Sequence, residues 1–188
     1  MVKLETERLI IRDHMKSDIM PLHSLLSDKK TMYFLEDLIT NSLEESDQNL
    51  SVSIEEASLE NRSKYFFAIQ LKDSLNYVGE IGFTVLIDCP EGRVVEMGYF
   101  ILPEYWGLGI VTEAACRVIQ FAFEEAGVVK IEIGCNKENI GSERVMQKLG
   151  LIKEAELKKH SLLYDRLWDR VEYRVLKEEW PPLFIETT

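Results

Sequence analysis

The fold of this chain is decided by the stretch Arg93-Val-Val-Glu-Met-Gly-Tyr-Phe-Ile-Leu102-Pro-Glu-Tyr-Trp-Gly-Leu-Gly109. Its first part, Arg93–Leu102, is a strand-like run that ends at Pro103, because proline cannot donate to a sheet ladder. A segment with helical periodicity begins at about Ile110. A strand, a glycine turn and a helix N-terminus in succession present backbone N–H groups to an anion. The stretch therefore predicts an anion site, with pyrophosphate as the expected anion, where the helix begins.

Predicted strands and helices continue on both sides of this stretch. Tyr65–Leu71 and Tyr77–Ile87 are apolar runs separated by turn residues, and with Arg93–Leu102 they predict an antiparallel meander. The helix leads into a strand at Val129–Cys135, which predicts a right-handed parallel crossover. The other predicted elements are a strand at Leu9–Arg12, a helix through Met20–Leu26, one helix or two between Ser42 and Asn61 with capping boxes at Ser42 and Ser53, a helix at Asn139–Leu149 and a hairpin of Ile152–His160 with Trp168–Leu176. This pattern predicts an α+β fold with a mixed, twisted sheet, in one domain spanning residues 1–188.

The composition is that of a globular chain and narrows the classes of partner. At 188 residues, with 46% hydrophobic and 29% charged residues, the chain is long enough for a substantial core. The net charge of −11 argues against a nucleic-acid partner and is compatible with a cationic substrate. Cys89, Cys116 and Cys135 are dispersed, as are the histidines, which predicts reduced thiols in a cytoplasmic protein and no metal site. No apolar run is long enough to suggest a membrane span.

The glycine pair by itself does not identify the anion. A P-loop requires G-x-x-x-x-G-K-[ST], which the sequence lacks, and the dinucleotide fingerprint requires a third glycine where Thr112 stands. Pro103–Trp106 also separate the glycines from the strand, so a dinucleotide site fits poorly. A turn without any ligand explains an isolated glycine pair equally well.

A longer pattern narrows the choice. The segment Pro103-Glu-Tyr-Trp-Gly-Leu-Gly-Ile-Val-Thr-Glu-Ala114 resembles the acetyl-CoA pyrophosphate loop of the GNAT N-acetyltransferase superfamily. The family's next strand-to-helix segment is matched at Asn136, Asn139, Ser142 and Lys148–Leu151. Both ends of the chain resemble the RimJ/RimL branch of ribosomal-protein N-terminal acetyltransferases. The matching segments are Thr6–Arg12, Asp169–Tyr173 and Glu179–Trp180. The resemblance covers nearly the whole chain and implies a splayed central sheet flanked by helices.

The resemblance also implies that acetyl-CoA is the cosubstrate and that no metal is used. It further implies which residues would contact each part of acetyl-CoA. The end of the strand would pair through its backbone with the pantetheine arm, at Phe100, Ile101 and Leu102. The loop and the helix start would hold the pyrophosphate through backbone N–H groups, at Gly107, Leu108, Gly109, Ile110, Val111 and Thr112. Asn139 would bond the pantetheine arm, and Ser142 would approach the thioester sulfur.

Three residues are candidates for proton handling. Many family members have a tyrosine acid where this chain has Met146, and methionine cannot donate a proton. Ser142 is therefore the expected hydrogen-bond donor to the departing sulfur. Glu96 is the candidate general base because it lies on the strand that leads into the cofactor site, with Glu80 as second choice. Three of the candidate site residues also have a purely structural interpretation. Ser142 could bond a backbone carbonyl, Glu96 could pair with a cation, and Asn139 could cap a helix.

The expected function is an acetyl-CoA-dependent N-acetyltransferase that acts on a primary amine by direct attack. An α-amine has a pKa of about 7.7–8.0, against about 10.4 for lysine, so presenting it neutral at about pH 7 requires roughly 3 kcal/mol less. This favours a protein N-terminus as acceptor. The alternatives are a small-molecule amine, such as a polyamine or an aminoglycoside, and a non-catalytic acyl-CoA-binding module. The expected partner is the amine substrate, and neither a nucleic acid nor a membrane is expected as a partner. The sequence does not decide whether the protein forms a homodimer.

Overall fold

The structure is a computed structural model that describes residues 1–180. In this part of the chain, eight strands form one sheet, and four α-helices lie between strands along the sequence. The strands are β1 (Lys3–Glu5), β2 (Leu9–Asp13), β3 (Lys64–Leu71), β4 (Tyr77–Cys89), β5 (Gly92–Ile101), β6 (Val128–Asn136), β7 (Ile152–Leu163) and β8 (Arg166–Leu176). The helices are α1 (Ile19–Ser27), α2 (Leu43–Ser58), α3 (Ile110–Glu124) and α4 (Ile140–Lys148). Short 3-10 turns lie at Lys16–Asp18, Glu36–Leu38, Pro103–Tyr105 and Lys177–Glu179.

The sheet is mixed and is hydrogen-bonded in the order β1-β2-β3-β4-β5-β6-β8-β7. Strands β5 and β6 run parallel with α3 between them, so the predicted crossover is confirmed. Their pairing ends at Glu96↔Glu132, although β5 continues to Ile101, as expected of a splayed strand pair. The predicted final hairpin is also confirmed, with β8 between β6 and β7 in the sheet. The α+β prediction is therefore correct.

The described residues form two compact parts. The first contains Met1–Thr84 and Gly98–Ala114, and the second contains Val85–Met97 and the residues from Ala115 onward. The core of the first part is a buried apolar cluster of Leu22, Leu25, Leu26, Met32, Leu50, Ala68 and Tyr77. Phe100 and Leu102, at the end of β5, pack against this cluster. The strand end that carries candidate cofactor residues is therefore anchored in the core of its own part.

The second part buries one face of its strands and exposes charge on the other. Alternate residues of β5, β6 and β8 are buried, namely Val95, Met97, Ile131, Ile133, Val171, Tyr173 and Val175. Because side chains alternate across a strand, the residues between them share the opposite face. That face is charged and carries Glu96, Lys130, Glu132, Arg170, Glu172 and Arg174. Glu96, the candidate base, therefore belongs to the charged face.

The predicted start of α2 at Ser42 is confirmed, and of the two arrangements left open by the sequence, one helix or two with a break, the structure has the single helix. The Ser42 hydroxyl accepts the N–H of Glu45 at 3.2 Å, and the Glu45 carboxylate accepts the N–H of Asn41 at 2.6 Å. Ser53 does not cap a second helix, because α2 continues through it and its hydroxyl donates to the Asn49 carbonyl at 3.2 Å. Serine can bond back in this way inside a helix, so a capping sequence alone does not mark a helix start.

Candidate active site

The glycine loop has the conformation that its residues predict. Gly107 and Gly109 have φ values of +76° and +77°, in the left-handed region that glycine adopts without steric penalty. A Cβ built on Gly107 would meet no atom within 4 Å, and one built on Gly109 would meet Arg8 Nη2 at 3.6 Å. The space in front of the loop is therefore open, and the need for glycine is conformational.

Helix α3 begins at Ile110, directly after the loop. The N–H of Glu113 donates to the Gly109 carbonyl at 3.0 Å and so closes the first helical turn. The N–H groups of Ile110–Thr112 precede that bond and have no acceptor within the helix. Unpaired N–H groups at the positive end of a helix dipole suit an anion, so this region fits the pyrophosphate of acetyl-CoA.

The segment before β2 contacts the loop and the first turn of α3. The Glu113 carboxylate accepts hydrogen bonds from Thr6 Oγ1 at 2.5 Å, from the Arg8 N–H at 3.0 Å and from Arg8 Nε at 2.7 Å. Arg8 Nη1 donates to the Leu108 carbonyl at 3.1 Å. Burial opposes the charged form of Glu113, but the bonds from Thr6 and Arg8 outweigh it and lower its pKa. The carboxylate therefore stays ionised.

The end of β5 is held from two sides. The Leu102 N–H donates to the Val78 carbonyl at 2.9 Å, so the backbone of this residue faces β4. Backbone groups alternate along a strand, which directs those of Ile101 to the opposite edge. The Ile101 carbonyl accepts the Trp106 indole N–H at 2.9 Å. Of the three residues predicted to pair with pantetheine, Ile101 is thus the one whose backbone faces away from β4.

Glu80, the second candidate base, lies beside a buried histidine. His14 Nε2 is 3.3 Å from the Glu80 carboxylate, and Nδ1 is 3.6 Å from that of Asp18. Burial works against a charged His14, but the two carboxylates outweigh it and raise its pKa to about 9. Arg12 completes the group through two contacts of 2.8 Å with Asp18. Burial also raises the pKa of the neighbouring Tyr77 well above its usual value.

Glu96 also has a cationic partner. Arg170 Nη2 donates to Glu96 Oε1 at 3.2 Å, and the same guanidinium pairs with Glu172 on its own strand. A Cβ on Gly134 would collide with the ends of Arg170 and Glu172, so these two side chains lie directly over this glycine. The ion-pair reading of Glu96 is therefore confirmed, while its role as a base stays a prediction.

The start of α4 holds Ser142 in a defined place. Asn139 is the N-cap, and its Oδ1 accepts the Ser142 N–H at 3.1 Å, which confirms the capping reading of this asparagine. Burial raises the pKa of the Cys135 thiol to about 11, against a smaller lowering by its hydrogen bond with Ser142. Met146 is fully buried. The position of the family's tyrosine is thus a core position here, and Cys135 remains a thiol at neutral pH.

The contacts of Thr6, Arg8 and Glu113 were not predicted as part of the site. Glu113 and Arg8 are 105 positions apart in the sequence, so only the fold reveals that they meet. The buried histidine group was likewise missed, because His14, Asp18 and Glu80 show no motif spacing. Among residues 1–180, no cluster of metal-ligating side chains is present and no helix is long and apolar enough to cross a membrane.

Comparison with known proteins identifies the family. The sequence model of the Acetyltransferase (GNAT) domain matches residues 8–152. The chain belongs to the GNAT family. It is therefore an N-acetyltransferase by family and by its relatives. Over 177 residues it is 27% identical to the uncharacterized N-acetyltransferase YnaD of Bacillus subtilis (strain 168), covering 94% of this chain and 98% of that protein.

Solved structures agree with this assignment. A GNAT-family acetyltransferase from Bacillus anthracis superimposes with a TM-score of 0.81 at 26% identity, covering 95% of this chain and 100% of that one. RimL, a ribosomal alpha-N-protein acetyltransferase solved with coenzyme A, gives 0.81 at 17% identity and covers 93% and 98%. Spermidine N-acetyltransferase from Vibrio cholerae, solved with CoA and spermine, gives 0.80 at 17% and covers 93% and 99%. At this identity the last two show the shared fold alone.

Proposed function

We propose that this N-acetyltransferase uses acetyl-CoA to acetylate a protein N-terminal α-amine. The observation that carries the proposal is the loop Gly107–Gly109, whose two glycines adopt positive φ in front of the unpaired N–H groups of Ile110–Thr112. In a chain of the GNAT family this arrangement suits the pyrophosphate of acetyl-CoA. Residues 1–188 act in this proposal as one catalytic domain in the cytoplasm.

The other candidate residues take the remaining parts of the cosubstrate. The backbone of Ile101 faces away from β4, and because its carbonyl already accepts the Trp106 indole N–H, its N–H is the group best placed to bond a pantetheine amide. The side chain of Asn139 keeps its amide donor for the same arm, because the helix cap uses only its oxygen. Ser142, held by that cap, would lie near the thioester sulfur.

The chemistry is direct transfer. The amine nitrogen attacks the thioester carbonyl, the C–S bond breaks, and the negative charge on the departing sulfur is met by a hydrogen bond from Ser142. The amine must lose a proton, and Glu96 is the proposed acceptor, directly or through water. Cys135 takes no part as a nucleophile, since its raised pKa keeps it protonated.

The state of the two candidate bases favours an acceptor that is easily deprotonated. Glu96 is paired with Arg170, and Glu80 lies beside His14, whose pKa of about 9 keeps it charged at neutral pH. A cation thus already engages each carboxylate. An α-amine releases its proton at about 7.7–8.0 and a lysine or alkylamine at about 10.4, so the α-amine asks less of the base. RimL acts on such an amine.

A polyamine is the second candidate acceptor. Its support is the net charge of −11, which attracts a multiply charged cation, and the fold shared with spermidine N-acetyltransferase. An α-amine on a basic N-terminal segment would benefit from the same charge. The charge therefore does not separate the two, whereas the ease of deprotonation does.

Release of free CoA thiol tests the proposal with three acceptors. These are a basic N-terminal peptide with a free α-amine, the same peptide with that amine blocked and a lysine retained, and spermidine. We expect the highest kcat/KM with the free α-amine and almost no release with the blocked peptide. Equal release from the blocked peptide would point to lysine, and preference for spermidine would replace the α-amine proposal with the polyamine one.

A further inference from the structure

The hydrogen bonds from the N-terminal segment to the glycine loop form a clamp, which we define as Thr6, Arg8, Glu113 and the Leu108 carbonyl. Arg8 uses Nε and Nη2 on the Glu113 carboxylate, at 2.7 and 2.6 Å, and Nη1 on the Leu108 carbonyl at 3.1 Å. Thr6 occupies the other carboxylate oxygen at 2.5 Å. One side chain therefore connects the loop to the first turn of α3.

The loop needs such a restraint because its conformation is not held by glycine itself. Glycine at positive φ is permitted, but it also samples many other conformations, and ordering it costs more entropy than for any other residue. Leu108, between the two glycines, is 55% exposed and has little packing to fix it. The bond from Arg8 to its carbonyl sets the orientation of the peptide between Leu108 and Gly109.

The clamp supplies geometry rather than net charge. Arg8 is positive and the Glu113 carboxylate is kept ionised by its bonds from Thr6 and Arg8, so the pair is neutral. A lysine at this position would keep the positive charge. It would lose the planar fork that bonds a carboxylate and a carbonyl at the same time.

We propose that Arg8 is a positioning residue for cofactor binding: it holds the loop Gly107–Gly109 and the start of α3 in the conformation that presents their N–H groups to the pyrophosphate of acetyl-CoA. This inference rests on the proposed use of acetyl-CoA and adds to it a residue outside the loop. It also gives the N-terminal segment a function beyond forming an edge of the sheet.

The test compares acetyl-CoA with S-acetylpantetheine, which carries the thioester but no pyrophosphate. Hydrogen bonds to charged groups typically contribute enough for a ten- to hundredfold change, so Arg8→Gln should raise the Kd for CoA by about that factor. Arg8→Lys should be nearly as weak, since charge alone does not restore the clamp. The kcat/KM for S-acetylpantetheine should be unchanged in both. Lys3→Gln is the matched control, because Lys3 forms an exposed ion pair with Glu5 in the same hairpin.

Two further measurements separate a clamp from a general loss of stability. Without CoA, amide hydrogen exchange in residues 108–113 should quicken in Arg8→Gln, while exchange in β3 and α2 stays unchanged. The double variant Arg8→Gln, Glu113→Gln should bind CoA about as weakly as the weaker single variant, because both substitutions break the same unit.

Wild-type affinity for CoA in Arg8→Gln, or full recovery in Arg8→Lys, would overturn the clamp while leaving the acetyl-CoA proposal intact. An equal loss with S-acetylpantetheine would show a structural role and overturn it as well. If the wild-type protein binds no CoA at all, both proposals fall together.

Discussion

Ser142 lies in the first turn of α4, with its N–H on the Asn139 side chain and its own side chain hydrogen-bonded to Cys135. The first contact fixes the backbone at the start of the helix, and the second orients the side chain before any substrate arrives. A donor that is already oriented needs no reorganisation as charge develops on sulfur, and this is what makes a weak acid useful in a transition state. Met146, which is buried one turn later, cannot take over the role.

Ser142→Ala should lower kcat with little change in the Kd for acetyl-CoA. Losing one preorganised donor typically costs about 2.7–4 kcal/mol, or roughly a hundred- to a thousandfold in rate. The defect should persist at high pH, because the sulfur needs its donor whatever the state of the amine. Ser58→Ala is the control, since the Ser58 hydroxyl donates to the Glu55 carbonyl at 2.7 Å at the end of α2, outside the candidate site. A near wild-type kcat, with chemistry rate-limiting, would make Ser142 a helix residue only.

Glu96→Gln should also lower kcat, but its defect should shrink as pH rises, because more of the amine is then neutral without help. The pH profile of kcat at saturating acetyl-CoA measures this. Glu132→Gln is the matched control, since Glu132 lies directly opposite on β6 and pairs with Lys130 at 2.7 Å. If Glu96→Gln has the wild-type kcat at every pH, Glu96 is not the base. Glu80 would then be the next candidate, or the enzyme would bind amine that is already neutral in solution.

The sequence predicted which individual residues belong to the candidate site, but not the residues that they contact. Glu96 was identified from its strand, but its contact with Arg170 links residues 74 positions apart. His14 carried no motif, and its charge depends on two carboxylates from other segments. Such pairs are set by tertiary packing, so local sequence patterns do not reveal them.

Among the structural elements, the unit formed by β5, the glycine loop and α3 gives the most specific prediction about CoA binding. Gly109→Val should abolish CoA binding and leave a folded protein, because a branched side chain disfavours positive φ and its methyl groups fill the open space before the helix. Calorimetric titration with CoA and circular dichroism together measure both properties.

Gly127→Val is the matched control for backbone strain. Gly127 also has positive φ, at +69°, and a Cβ there would meet no atom within 4 Å, but it follows α3 rather than preceding it. It should lose similar stability and still bind CoA. If Gly109→Val binds CoA normally while folded, the loop is structural and the anion site lies elsewhere.

The same unit shows why some elements were predictable. Its proline, glycines and apolar periodicity are strong local signals, and β5, α3 and β6 appeared close to their predicted bounds. β1 was missed because three residues carry no pattern, and its formation depends on pairing with β2. The choice between one helix and two could not be made from the sequence, because the capping pattern at Ser53 lies inside α2, which continues to Ser58.

At the scale of the whole molecule, the buried group of His14 links folding to pH. The pKa of His14 is about 9 in the folded chain and about 6.5 when unfolded, so its stabilising contribution is complete below about pH 6.5 and is lost as pH rises through about 9. The neighbouring charges are Arg12, Asp18 and Glu80, and deprotonation of His14 leaves them with one uncompensated negative charge.

The free energy of unfolding should therefore fall by about 3 kcal/mol between about pH 6.5 and pH 9.5, since each pKa unit corresponds to about 1.4 kcal/mol. Urea denaturation across this range measures it. His14→Gln should be less stable at the lower pH and should show a flatter profile. His160→Gln is the control, because His160 is exposed on β7. A wild-type profile as flat as that of His14→Gln would show that His14 is neutral in the fold.

We propose that this GNAT-family chain moves acetyl from acetyl-CoA to an α-amine. The most direct measurement is mass spectrometry of one reaction that contains acetyl-CoA, a library of N-terminal peptides that also carry internal lysines, and spermidine in equal amount. Fragment spectra then report which nitrogen gained the acetyl group. We expect acetylation at peptide α-amines, with basic N-termini modified first and internal lysines left free. Acetyl found on spermidine or on lysine side chains, with the α-amines untouched, would contradict it.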